Sequence, residues 1–242
     1  MTFDPSNIFW CKNCLVMSTR PRIKFKDGLC SACSWYHKKK EMNWLPRKKE
    51  LNRLLDDHRR NNGEFDCIVP VSGGKDGSYV CYNLKHKYSM NPITVTVTPA
   101  LPLELGDKNL RSFINSGYTN ISMNLDYQAM QKLNKYGLIN KGFPYFGWLI
   151  AIHTSILHFA KSMNINLIFY GEDGEVEYGG SSETRDKPFY DFEYQKKVYL
   201  ENGYDKLINT LDLNSSDYHY FKYPKKDAFF DDLKITHWSY YE

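Results

Sequence analysis

The chain has 242 residues, 42% of them hydrophobic and 25% charged, with a formal net charge of +4. That length admits one sizeable core plus a small appendage, and the composition is that of an ordinary globular protein. No run of about 18 apolar residues occurs, so no membrane-spanning helix is expected. Residues 1–10 lack a basic segment followed by an apolar run, so no secretory signal is expected and the default location is cytoplasmic. The charge is uneven. Residues 1–62 hold 14 Lys or Arg against 6 Asp or Glu, a net of +8, while residues 63–242 hold 18 against 22, a net of −4. The basic end suits nucleic acid, another anionic partner or a phosphate-bearing substrate, or is simply a solvated face.

Cys11 and Cys14 form one C-x-x-C pair and Cys30 and Cys33 a second, with fifteen residues between them. The intervening segment can return as a hairpin and bring four thiolates to one ion. Four sulfurs at about 2.3 Å in a tetrahedron suit zinc. All four positions are then filled by protein, so the site is structural. An iron–sulfur cluster and disulfides remain alternatives. Cys67 and Cys81 stand apart and read as small buried hydrophobes.

Residues 37–63 read as a connecting helix with Pro46 near its start, Leu51, Leu54 and Leu55 as its apolar stripe, and Asn62-Gly63 as its stop. His37 and His58 read as surface residues. Ile68 to Val71 then read as a buried strand, although Pro70 cannot donate to a ladder. In "VSGGKDGSYV", Gly73 and Gly74 permit a tight turn, and a helix is predicted from Asp76 to about Tyr88. Its N-terminal N–H groups, with Lys75 and the hydroxyls of Ser72 and Ser78, suit a phosphate. The spacing is neither G-x-x-x-x-G-K-[ST] nor G-x-G-x-x-G. A turn that binds nothing is the bland alternative.

Further strands are expected over Pro92–Thr98, Ile121–Leu125 and Ile165–Tyr170, with helices over 104–116, 126–137 and 145–163. This alternation predicts an α/β fold: a mostly parallel sheet with helices on both faces, binding its ligand beyond the carboxyl ends of the strands. "YGEDGEVEYGG" follows the last strand. Its Glu172, Asp173, Glu175 and Glu177 could hold Mg²⁺, orient ammonia or bind sugar hydroxyls, or form a solvated acidic loop. "KYPKKD" at 222–227 is basic and exposed in character. The closing "ITHWSYYE" carries aromatics that should pack against something, and it suggests that the natural chain continues.

The turn resembles the pyrophosphate loop of the ATP pyrophosphatase (PP-loop) superfamily, whose pattern is Ser-Gly-Gly-x-Asp-Ser. Ser72, Gly73, Gly74, Lys75 and Asp76 fit it, while Gly77 stands where the final Ser is usual and Ser78 follows. The early cysteine pairs, "VSGGKDGSYV" and "YGEDGEVEYGG", in this order, resemble the N-acetyl sugar amidotransferase family (WbpG and PseA type) of bacterial surface-glycan biosynthesis. The resemblance implies an adenine nucleotide alpha hydrolase-like fold, with a cysteine module over 1–36, a linking helix over 37–63 and a PP-loop domain over 64–242. It implies an ATP-dependent conversion of a sugar acetamido group to acetamidino, through adenylation of the amide oxygen, for lipopolysaccharide O-antigen or pseudaminic acid.

The implied catalytic residues are Lys75, Asp76, Glu172 and Glu177. Those implied to bind ATP are Ser72, Gly73, Gly74, Lys75, Asp76, Gly77, Ser78, Thr98 and Gly171, with Thr98 near the adenosine. ATP, Mg²⁺ and structural Zn²⁺ are the implied cofactors. The chain has no glutaminase signature of its own. Ammonia is therefore expected from a separate class I glutamine amidotransferase subunit of the histidine-biosynthesis type, with a synthase-like companion as a further candidate partner. Two rival readings use the same residues: a PP-loop tRNA-modifying enzyme, and a non-catalytic nucleotide-binding scaffold in a glycan-assembly complex.

Overall fold

Asp27-Gly28 is the strongest turn signal near the N-terminus, and it closes a two-stranded hairpin. In the computed structural model, which describes residues 8–20, 22–171, 186–190, 194–198, 200, 204–211 and 218–242, β1 (Phe25–Lys26) pairs antiparallel with β2 (Leu29–Cys30). Both turn residues have positive φ, 54° and 80°, as a two-residue primed turn requires. Helix α1 (Ser31–Glu41) follows at once, with Cys30 as its N-cap and Lys38, Lys39 and Lys40 in its last turn, where cations favour the helix dipole.

The expected connecting segment, 37–63, holds the end of α1, which closes at Met42, and then α2 (Leu45–His58), with Pro46 near its start as expected. Asn43 Oδ1 accepts the Leu45 N–H at 3.1 Å, and Pro46 occupies the first turn, so a capping side chain and a proline restart the helix. His37 is exposed, and His58 Nδ1 lies 2.8 Å from Leu54 O.

The chain divides into two compact units. The first comprises the described residues of Met1–Arg53, Glu172–Phe189 and His237–Glu242; the second comprises those of Leu54–Gly171 and Tyr190–Thr236. In the first unit the C-terminal aromatics are indeed packed: Trp238, Tyr240 and Tyr241 are buried. The Arg47 guanidinium lies 4.2 Å from the Tyr240 ring and donates to Tyr240 O, and the Tyr240 hydroxyl donates to Glu50.

The second unit is built on β3 (Cys67–Pro70), β4 (Pro92–Val97), β5 (Asn120–Met123), β6 (Leu167–Tyr170) and β7 (Lys234–His237), in the spatial order β5-β4-β3-β6-β7. The pairings β3–β4, β3–β6 and β4–β5 are parallel. Every residue of β4 is buried, as expected of a strand covered on both faces. Ile93, Val95 and Val97 alternate onto one face and join Ile68 in the main core. Thr94 and Thr96 turn to the other face and each accept from Asn120 Nδ2 at 3.0 Å. Pro70 is tolerated because Val71 N–H donates to Val95 O. By alternation, Pro70 then turns its hydrogen-free nitrogen away from β4.

Helix α3 (Lys75–Tyr82) continues as a π-turn over Asn83–Lys87, so the helix expected to reach Tyr88 changes its winding near its middle. Helices α4 (Glu104–Asn115), α5 (Tyr127–Lys141) and α6 (Phe146–Ser162) agree closely with expectation. Asp126 caps α5 by accepting the Ala129 N–H at 2.7 Å, and Gly142 ends it at φ 66°. Helix α6 is apolar almost all round and supplies Ile150, Ile156 and Leu157 to the core, where Leu133 of α5 meets them. Among the described residues no helix is long and apolar enough to cross a membrane.

Candidate functional site

From β3 the chain steps outward to β4 and β5, then returns to the opposite flank of β3 for β6. The carboxyl ends of β3 and β6 therefore border the switch point where open α/β sheets bind ligands. The Ser72–Ser78 segment leaves β3 there, and Gly171 leaves β6 there. Gly73 turns the chain at φ 80°, and a Cβ on it would lie 2.5 Å from Gly106 O. Gly74 is the N-cap of α3, in extended conformation, and has no side chain to cap the helix. The first-turn N–H groups are thus directed at the turn as anion donors.

Gly77 has a packing reason. A Cβ there would meet Pro70 O at 2.6 Å, and a Cβ on Gly171 would meet Gly77 N at 2.7 Å and the Asp76 carbonyl carbon at 2.8 Å. The first turn of α3 lies between two strand ends that leave space for hydrogen only, so the serine of the superfamily pattern does not fit here. The hydroxyls also separate. Ser78 Oγ donates to Gly74 O at 2.8 Å, whereas Ser72 is exposed in the turn. The Lys75 ammonium sits 2.6 Å from Asp76 Oδ1, and its side chain is 86% exposed. Such a pair holds little energy in water.

Thr98 follows β4, half-buried, with its N–H donating to Met123 O. The indole of Trp148 donates to Val97 O at 2.9 Å and closes the end of that strand. Glu172, Asp173, Glu175 and Glu177 lie outside the described residues. Sequence reasoning missed His153, which is buried on α6 with its ring 5.8 Å from that of Tyr170 at the end of β6. Burial holds its pKa down at about 4. A histidine in an apolar helix gives no sequence signal of that kind.

The second site is the cysteine cluster of the first unit. The ligand atoms of Cys11, Cys14, Cys30 and Cys33 all lie within 4.8 Å of one another. Cys11 and Cys33 sulfurs are 3.8 Å apart, and Cys14 and Cys30 sulfurs 3.6 Å apart. A tetrahedron with metal–sulfur bonds of about 2.3 Å has an edge of about 3.8 Å. The spacing is that of a single ion. It is too long for the disulfide bond, about 2.05 Å, and all four thiols are free. A polynuclear iron–sulfur cluster would also have to fit irons and sulfides between the ligands.

Local structure places the sulfurs. Cys30 N–H donates to Cys11 Sγ at 3.3 Å, Cys33 N–H to Cys30 Sγ at 3.4 Å, and Asn13 Nδ2 to Cys33 Sγ at 3.2 Å. Burial acts to raise the Cys11 thiol, but the Cys14, Cys30 and Asn13 backbone donors outweigh it and bring it down to about 6. For Cys33 the Asn13 amide lowers the value, yet burial and the three neighbouring sulfurs win and push it up to about 12. Four thiolates this close repel, and a divalent cation removes that cost. Cys67 and Cys81 are fully buried, and burial pushes both thiols up, as expected of inert cysteines.

Fold and sites together define an α/β protein with a mostly parallel five-stranded sheet and a separate four-cysteine cluster able to bind zinc. No family model matches the chain. Over 89 residues it is 32% identical to the uncharacterized protein MJ1599 of Methanocaldococcus jannaschii, a match that covers 36% of this chain and 32% of that protein. The chain thus spans about a third of that relative's length.

Proposed function

We propose that the chain is an ATP-dependent amidotransferase that converts the acetamido group of a sugar or sugar nucleotide to acetamidino. The observation that carries this reading is the strand–glycine turn–helix at the sheet's switch point, with an uncapped helix N-terminus and an exposed Lys75. The amide oxygen attacks the α-phosphorus of ATP; an O–P bond forms and the bond to pyrophosphate breaks. Ammonia then adds to the activated carbon, AMP leaves with the former amide oxygen, and a proton is lost. The N–H groups near Gly73 and Gly74, the Ser72 hydroxyl and Lys75 bind the departing pyrophosphate. Asp76 holds Lys75 in place or takes Mg²⁺, and Glu172 and Glu177 serve ammonia or the sugar. The cysteine cluster holds a structural zinc ion. Ammonia comes from a separate glutamine amidotransferase subunit.

Purified chain with ATP, Mg²⁺, ammonium and an acetamido sugar nucleotide should release AMP and pyrophosphate and yield an amidino sugar by mass spectrometry. Lys75→Met should lower AMP release by about 10²-fold or more while the melting temperature holds. Nucleotide binding without any AMP would reject the enzyme and leave the scaffold reading.

A second reading, a PP-loop enzyme acting on tRNA, gains one observation. Phe9 and Trp10 beside the basic knuckle are 50% and 53% exposed, as base-stacking side chains would be. It expects salt-dependent retardation of tRNA, lost in Trp10→Ala; indifference to tRNA at low salt would dismiss it.

A further inference from the structure

In the second unit, away from the β3–α3 turn, lies a cavity of about 370 Å³ that neither site above uses. Small-ligand pockets run from about 300 to 1,000 Å³. The helix Tyr204–Thr210 supplies Asp205 and Asn209, four residues apart and so on one face. Tyr204 and Tyr223 supply aromatic wall, their rings edge to face at 5.2 Å. Lys196 and Lys222 supply charge at its lining, joined by Lys226.

The wall is held in place from behind. The Tyr204 hydroxyl donates to Phe221 O, and His158 Nε2 lies 2.9 Å from Lys222 O. The charges are not equivalent. Lys196 is paired with Asp205 at 2.6 Å and Lys226 with Asp231 at 3.2 Å. Lys222 lies over the Tyr218 ring at 4.2 Å, and among the described residues no carboxylate pairs with it. Among the described residues the lining therefore has a surplus of positive charge.

Each part answers a different part of one ligand. The apolar face of a pyranose stacks on an aromatic ring, and its hydroxyls pair with a carboxylate and an amide. A phosphate takes the ammonium groups. We infer that this cavity binds a small sugar carrying a phosphate or diphosphate, with Tyr223 against the ring, Asp205 and Asn209 on its hydroxyls, and Lys222 on the anion. The inference rests on the cavity alone and not on the reaction proposed above.

Calorimetry on the full chain tests it, with N-acetylglucosamine 1-phosphate, N-acetylglucosamine, inorganic phosphate and ATP as separate probes. The sugar phosphate should bind one to one, and at least about tenfold more tightly than either half alone. Lys222→Met should weaken it by about tenfold or more, and Lys222→Arg should restore most of that loss. Asn209→Ala should weaken the sugar phosphate and leave inorganic phosphate unchanged. Lys75→Met should weaken ATP but not the sugar phosphate, which separates this cavity from the β3–α3 turn. A thermal melt checks the fold of each variant, and Lys226→Met replaces Lys222→Met if the latter does not fold. Three results would overturn the inference: no saturable binding of the sugar phosphate, equal binding of phosphate alone, or loss with Lys75→Met but not with the lysine variants of the cavity.

Discussion

The knuckle around Cys11, Cys14, Cys30 and Cys33 has buried Cys11, Cys30 and Cys33 as its centre and only half-covered apolar neighbours such as Ile23, Phe25 and Leu29. The α/β unit encloses Ile68, Val95, Leu133, Ile150, Ile156 and Leu157 in one continuous core. Along the chain the charge is uneven as well, since residues 1–62 carry a net +8 and residues 63–242 a net −4. A basic segment with so little apolar surface gains little from burial against the entropy of ordering its chain, and a cation held by the four thiolates would supply the difference. The larger unit can fold on hydrophobic burial, and it is free to leave an uncapped helix end and a glycine turn at the edge of its sheet.

The sharpest way to break this comparison is to remove the metal. Chelation, or Cys30→Ser, should unfold the knuckle, because zinc is worth about 10–16 kcal/mol in small cysteine modules. Hydrogen exchange should then show protection lost over the hairpin at residues 25–30 and kept over Cys67–Pro70. Loss in both places would mean that the units do not fold separately.

Acid should act on the α/β unit through His153. Its folded pKa, about 4, lies below the ordinary 6.5. Between those values the unfolded chain binds the extra proton. Stability from this group is full above pH 6.5 and falls as pH drops toward 4, by roughly 3 kcal/mol in all. Urea midpoints for the protein and His153→Gln should converge as pH falls from 7 to 4.5; parallel curves would show that His153 is not buried in its neutral form.

A smaller effect is expected at the turn. Gly77→Ser restores the superfamily's residue but places a Cβ 2.6 Å from Pro70 O. It should cost about 1–3 kcal/mol in denaturant unfolding. A neutral or stabilising result would remove the packing reason for Gly77.

The smallest effect belongs to the first unit's surface. Asp186 accepts from Lys38 and Arg47 at 2.9 and 2.8 Å. Burial acts to raise its carboxyl, but the two cations more than offset that and hold it below the usual range. Asp186→Asn should cost at most about 1 kcal/mol at neutral pH. The loss should shrink at high salt and disappear as acid protonates the native carboxylate.

Much of the fold could be read from residue order. The strands at Cys67, Pro92 and Leu167 stand out because β-branched and apolar runs of this length suit a doubly covered sheet, and the turn at Gly73-Gly74 stands out because little else permits its backbone. Helix α1 was not among the expected elements, because its buried residues, Cys33 and Trp35, stand two apart and show no helical spacing. The π-turn after Tyr82 has no sequence signature, since winding there answers to packing rather than to local preference.

The sequence by itself determined the two cysteine pairs, the Asp-Gly hairpin between them and the strand–turn–helix at Ser72, because these depend on residues close along the chain. Only the tertiary structure decided that Gly77 must lack a side chain, that Ser78 turns back to Gly74 O while Ser72 stays exposed, and that Lys222 joins Tyr204 at one cavity. Those outcomes depend on distances between segments far apart in sequence, such as the end of β3 against the end of β6, and local preference carries no information about such distances.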